Sequence, residues 1–138
     1  ESELLLMFAA RAQLISEKIN NSDKDIVLFD RFYDASMAYQ GFGRGLPQEI
    51  IKSLISFTKC PVPDATFLLD IEVEEGFKRK FNDKKDRIES SGEVFFEQVR
   101  SGYLALSKNE PNRIKVLDAK KSIDDLHNDI VSFVDIIL

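Results

Sequence analysis

A chain of 138 residues, 43% apolar and 31% charged, has the length and balance of a globular protein with a real core. Its net charge of −5 argues against a general nucleic-acid binder, which needs surplus Lys and Arg for phosphate contacts. The lone Cys60 excludes an internal disulfide and fits a reducing cytosol, and the longest apolar run, Leu4 to Ala10, stops at Arg11, too short to cross a bilayer.

Leu4 to about Asn20 reads as a helix, apolar nearly all round in its first half, which implies burial. Asn20-Asn21-Ser22-Asp23 is a stop signal. Ile26–Phe29 is a short continuous apolar run, the mark of a buried parallel strand. A polar, aromatic and glycine-rich segment follows, and Pro47 suits the first turn of the next helix. That helix carries Ile50, Ile51, Leu54, Ile55 and Phe57 on one face and ends at Cys60-Pro61-Val62-Pro63.

Ala65–Ile71 reads as a second buried strand, and Glu72 to about Asn82 as a charged helix. Lys84–Gly92 is polar and reads as a loop. Glu93 to about Lys108 is an amphipathic helix with Phe95, Val99, Tyr103 and Leu106 on one stripe. Ile114–Leu117 is a third strand. Ser122 with Asp125 resembles a capping box opening a last helix that buries Ile123, Leu126, Ile130, Val134 and Ile137. Strands alternating with helices imply a parallel sheet covered on both faces. All three strands end in aspartate, at Asp30, Asp70 and Asp118, a residue also common wherever a strand becomes a turn. The chain opens on Glu1 and its first methionine, Met7, sits inside an apolar run, so the expectation is a piece cut from a longer polypeptide or one preceded by a further segment.

Three constellations carry chemistry. Asp30-Arg31 stands at a strand's carboxyl end, where open α/β sheets bind ligands. A carboxylate there can hold a metal ion or its waters, and a guanidinium can grip a phosphoryl group with two parallel hydrogen bonds. Ser36, Tyr39, Gln40 and Arg44 follow, adding a hydroxyl, a phenol, a carboxamide able to pair with a nucleobase edge, and a second cation. Gly41-Phe-Gly-Arg-Gly45 has neither the spacing of a dinucleotide fingerprint nor a following Gly-Lys-Ser/Thr.

Phe8 and Arg11 are the second constellation. An exposed Phe8 face could stack on a base, or the ring could simply pack in the core. Arg11, on a mostly buried helix, needs an acceptor in the protein or in a ligand. The third is Lys78, Arg79, Lys80, Lys84, Lys85 and Arg87, a cationic run readable as a solvated face or as a lid closing over phosphates. His127, the only histidine, falls on the last helix and makes a poor candidate for a catalytic base.

These stretches together resemble bacterial thymidylate kinases along essentially the whole chain. They are Glu3-Leu-Leu-Leu-Met-Phe-Ala-Ala-Arg-Ala-Gln13, Asp30-Arg-Phe through Tyr39-Gln-Gly-Phe-Gly-Arg-Gly45, Pro63-Asp-Ala-Thr-Phe-Leu-Leu-Asp70, Asp86-Arg-Ile-Glu89, Phe95-Phe-Glu-Gln-Val-Arg-Ser-Gly-Tyr103 and Ile114-Lys-Val-Leu-Asp-Ala119. The resemblance implies a three-layer αβα parallel-sheet fold of the P-loop nucleoside monophosphate kinase type. It implies transfer of the ATP γ-phosphoryl group to thymidine monophosphate with Mg²⁺, for thymidine triphosphate synthesis, in a cytoplasmic homodimer. By position, Phe8 resembles the base-stacking aromatic and Arg11 the base-edge donor. Many relatives carry the aromatic one residue further from the arginine, which would put Met7 there. Ser36 and Gln40 resemble further base contacts, and Tyr39 the residue near the sugar 2′ position. Arg31 resembles the phosphate-gripping arginine, with Arg44 a second cation for the substrate, and Asp30 the acidic residue near the metal. Lys84, Lys85 and Arg87 fall in a lid at about 82–92, and Asp118-Ala119 beside the adenine.

Phe32 stands where the family usually has tyrosine, and this lid carries lysines where many relatives have arginines. The family's first strand, Walker loop and second strand have no counterpart among the 138 residues. The expectation is therefore the C-terminal two-thirds of one kinase domain, inactive and poorly folded by itself, with its first two strands left with unpaired edges. The alternatives are another nucleoside or nucleoside monophosphate kinase on the same fold, a non-catalytic nucleotide-binding or dimerisation module of the same ancestry, and an unrelated flavodoxin-like domain.

Overall fold

A computed structural model of the chain describes residues 1–79 and 92–138. The chain divides into two compact units, Glu1–Val62 and Pro63–Leu138.

In the first unit, helix α1 spans Ser2–Leu14 and runs into a π-helical turn, Ile15–Ile19, closed by Asn20 N donating to Ile15 O at 3.0 Å. The short helix α2, Tyr33–Ser36, likewise widens into a π-helical stretch, Met37–Gly43. Such widened turns are rare and concentrate at functional sites. Helix α3, Gln48–Phe57, follows with Pro47 at its N-cap. Gly41 sits where a Cβ would lie 3.3 Å from Ile51 Cδ1, so the missing side chain lets the π-helical stretch approach α3 closely. The core of this unit holds Leu4, Phe8, Ile15, Phe32, Tyr33, Ala38 and Ile51.

Ile26–Phe29 forms no strand, contrary to the expectation from its apolar run. A strand exists through its ladder, and its unit contains no other strand to supply one. Leu28 is 91% exposed. The face expected on α3 is also only partly covered: Ile51 is buried, while Ile50 and Phe57 face solvent.

The second unit holds strands β1, Thr66–Asp70, and β2, Ile114–Asp118, paired in parallel from Thr66 opposite Ile114 to Asp70 opposite Asp118. Helix α4 spans Val73–Arg79, α5 Glu93–Asn109 and α6 Ile123–Ile137. The strand pair, with α4 and α5 between its members, fits the βαβ logic, because parallel neighbours need a long crossover. Phe95, Val99, Leu106 and Ile114 form the core. Phe133 of α6 meets Phe67 edge-on at 5.7 Å, with the Lys115 ammonium 4.7 Å from the Phe133 ring. Ser122 caps α6 as expected, its Oγ accepting from Asp125 N at 3.1 Å. The stripe expected to be buried is only partly covered: Leu126, Ile130 and Val134 are half-buried, while Ile123, in the first turn beside the cap, and Ile137, at the C-terminal end, are exposed. The architecture is α/β with a parallel sheet, in agreement with the sequence.

Candidate functional site

The first unit gathers most of the site residues named from sequence. Arg11 lies on α1 one turn after Met7, and Gln40 lies on the π-helical stretch one turn after Ser36. The two elements meet through these side chains. Arg11 Nη2 donates to Ser36 Oγ at 3.2 Å and to Phe32 O at 3.4 Å. Gln40 Nε2 donates to Glu3 Oε1 at 3.1 Å and reaches Met7 Sδ at 3.8 Å. Arg11 and Gln40 are therefore laced into one interface by contacts running both ways.

Two atoms of that interface are left over. Arg11 Nη1 and Gln40 Oε1 are buried and have no hydrogen-bond partner among the described residues. Burial pulls the Arg11 guanidinium below its ordinary pKa, with the Cys60 thiol acting in the opposite sense. A half-buried cation with an unanswered Nη1, and on the facing element a buried unanswered carbonyl, are each expensive without a ligand. One is a donor and the other an acceptor.

Phe8 departs from the stacking role. It is 1% exposed, and the Arg11 guanidinium lies 4.7 Å from its ring centroid and 5.4 Å from that of Phe32. The ring is core and one wall of the arginine's cradle, so no face of it is open to a base. Phe8 and Met7 stand three and four residues before Arg11, and it is Met7 that is partly exposed and lies against the Gln40 amide nitrogen. Ser36 is fully buried and its hydroxyl oxygen accepts from Arg11, holding the guanidinium.

Arg31 has a φ of 64°, a left-handed conformation that costs a non-glycine residue about 1–2 kcal/mol. Its guanidinium lies 5.3 Å from the half-buried Tyr39 ring. Asp30 and Arg31 are both exposed. Arg44 pairs with Glu3 at 3.4 Å, so the cation expected to meet an anion already has one in the chain. Glu3, taking both Gln40 and Arg44, was missed from sequence; nothing but its position one turn before Met7 signalled it.

In the second unit, Asp118 Oδ1 accepts from Lys120 N at 2.9 Å, the turn that its place at a strand end suggested. Ala119 is held on both sides: its N–H donates to Asp70 O at 2.9 Å and its carbonyl accepts from Arg79 Nη1 at 2.9 Å. Lys120 pairs with Glu72 at 2.7 Å, and that hydrogen bond holds the Glu72 carboxyl below its ordinary value. Asp70 also takes both prongs of Arg100, a pairing the sequence did not suggest. Of the cationic run, Lys78 pairs with Glu74 and Arg79 with Glu75. Lys84, Lys85 and Arg87 lie outside the described residues. His127 is exposed, and among the described residues no helix is long and apolar enough to cross a membrane.

Comparison with known proteins shows the family. The thymidylate kinase family profile matches residues 1–130. The chain is 40% identical to the thymidylate kinase of Chlorobaculum tepidum over 96% of its own length and 68% of the relative's. It is 42% identical to that of Kosmotoga olearia, over 95% of the chain and 65% of the relative. It superposes on a crystal structure of thymidylate kinase from Ehrlichia chaffeensis with a TM-score of 0.75 and 29% identity, covering 97% of this chain and 64% of that one. The chain thus spans about two thirds of the length of these relatives. On the strength of the profile and the identities, the chain belongs to the thymidylate kinase family.

Proposed function

We propose that the intact protein transfers the γ-phosphoryl group of ATP to thymidine monophosphate, giving thymidine diphosphate and ADP and feeding thymidine triphosphate synthesis. The observation that carries this reading is the pair of unanswered buried atoms, Arg11 Nη1 and Gln40 Oε1. Thymine presents an O4 acceptor next to an N3–H donor, which complements them atom for atom. Met7 borders the ring and Tyr39 the sugar.

Arg31 then takes the substrate phosphate. Its guanidinium already rests against the Tyr39 ring, and phosphoryl transfer is mostly positioning and charge neutralisation. Arg44 with Glu3 supports the base side. Asp118-Ala119 lines the adenine end, where Ala119 serves as a wall, its N–H being committed to Asp70. By family likeness, Lys84, Lys85 and Arg87 supply cations for the transferred group.

Mg²⁺ would take the exposed Asp30 carboxylate as one ligand. A single carboxylate fits, because Mg²⁺ keeps several waters and binds phosphate oxygens; among the described residues no group of three or more potential ligands offers it a cage. When bound it neutralises phosphate charge. The 138 residues contain no Gly-Lys-Ser/Thr loop for the ATP phosphates, so the activity is assigned to the intact protein. A cytoplasmic homodimer completes the reading by family likeness.

The test is a turnover assay of the intact protein with ATP and equal concentrations of thymidine, cytidine and adenosine monophosphates. Thymidine monophosphate is expected to be consumed first. Preferential turnover of either other nucleotide contradicts the assignment.

A further inference from the structure

We propose that Glu3 sets which pyrimidine the site accepts, by fixing the orientation of the Gln40 amide. The inference rests on the pyrimidine site proposed above and adds a positioning residue to it. A carboxamide has two ends of nearly equal size and opposite hydrogen-bond character. Rotation by half a turn exchanges a donor for an acceptor, so a buried amide reads a base edge reliably only if a partner fixes it.

Glu3 is that partner. Its Oε1 takes Gln40 Nε2 at 3.1 Å. An ionised carboxylate only accepts, so the rotated amide would set two acceptor oxygens against each other. Met7 Sδ, a weak acceptor 3.8 Å from the same nitrogen, favours the same orientation. Arg44 Nη2, 3.4 Å from Glu3 Oε1, supplies the carboxylate with a countercharge. Gln40 is 4% exposed, and its carbonyl is the end left for a ligand.

The consequence is selectivity. An inward carbonyl suits the N3–H of thymine or uracil and opposes the N3 lone pair of cytosine. Arg11 has no orientation of opposite sign, because a guanidinium only donates. The amide is the one member of the pair that can be inverted, and Glu3 is the group that prevents it.

The test is equilibrium titration of the intact protein with thymidine monophosphate and with deoxycytidine monophosphate. Wild type, Glu3→Gln, Glu3→Ala and Gln40→Ala are compared, with a thermal melt of each. Glu3→Gln keeps the shape but can accept or donate, so it releases Gln40 to rotate. The preference for the thymidine ligand should fall about tenfold in Glu3→Gln, since a site built around hydrogen bonds discriminates by leaving wrong partners unpaired. Glu3→Ala should move the ratio the same way. A role for Glu3 in stability alone would weaken both ligands together, and an unchanged ratio in both Glu3 variants overturns the proposal. Gln40→Ala separates two failures. If it weakens thymidine binding while the Glu3 variants keep the ratio, the pyrimidine site stands and the role of Glu3 falls. If it changes nothing, the pyrimidine site falls and Glu3 with it.

Discussion

Arg100 holds Asp70 with both prongs of its guanidinium, Nε to Oδ1 at 2.8 Å and Nη2 to Oδ2 at 2.9 Å, tying the middle of α5 to the carboxyl end of β1. The hydrogen bonds to Asp70 raise the Arg100 pKa above its ordinary value against the opposing effect of burial. Lysine is a point charge and cannot bridge both oxygens. Arg100→Lys is therefore expected to lower the unfolding free energy by about 1–2 kcal/mol in a urea titration. Stability equal to wild type would mean that the fork contributes nothing beyond charge.

Arg113 is nearly buried and donates to both oxygens of Glu110, at 2.8 and 3.0 Å, and to Thr66 Oγ1 at 2.9 Å. The hydrogen bonds from Arg113 pull the Glu110 carboxyl below its ordinary 4.5, with burial opposing. A depressed folded-state pKa gives stability that is fully present above pH 4.5 and is lost as pH falls through the lower folded value. The Glu110 side chain is 45% exposed, so solvent screening keeps the contribution near ~1 kcal/mol. Glu110→Gln should lose that amount at pH 7 and show a shallower acid limb. Parallel stability–pH profiles for wild type and variant would remove Glu110 from the account.

Gly41 is the close-approach point between the π-helical stretch and α3. Its virtual Cβ would stand 3.3 Å from Ile51 Cδ1 and 3.6 Å from Gln48 Cγ. Gly41→Ala needs only a small shift of the Ile51 methyl and should stay within about 1 kcal/mol of wild type, whereas Gly41→Val overpacks the contact and should cost ~1–3 kcal/mol. Chemical unfolding of both variants checks the order. A valine variant as stable as the alanine one would contradict tight packing there.

Arg31 separates stability from function. Its φ of 64° is strained for any residue with a Cβ. Arg31→Gly relieves that strain, so the unfolding free energy should hold or rise by up to about 1 kcal/mol. Loss of the cation proposed to hold the substrate phosphate should meanwhile cut thymidine monophosphate turnover by the intact protein about a hundredfold. Reduced stability together with normal turnover would contradict both halves of the reading.

The legible parts of the chain were those whose cause is local. β1 and β2 announced themselves as short apolar runs between turn signals, and the Ser122 cap as a side chain three residues before its backbone donor. Ile26–Phe29 carries the same local signal, but a strand also needs a partner along its edge, and no pattern within the run says whether one is there. The candidate site divides the same way. Arg11 drew notice because a guanidinium on a mostly buried helix demands an acceptor, and it has two in Ser36 and Phe32. Phe8 was not readable, because a one-residue shift along a helix turns a ligand platform into core. Glu3 and Arg100 act on partners 37 and 30 residues away, distances at which periodicity carries no information.

The central claim is that Arg11 and Gln40 enclose one pyrimidine, and titration of the intact protein with thymidine monophosphate tests it most directly. Arg11→Ala and Gln40→Ala should each weaken binding at least tenfold, about 1.4 kcal/mol, while the fold persists by circular dichroism. Two folded variants that bind the nucleotide as tightly as wild type would contradict it.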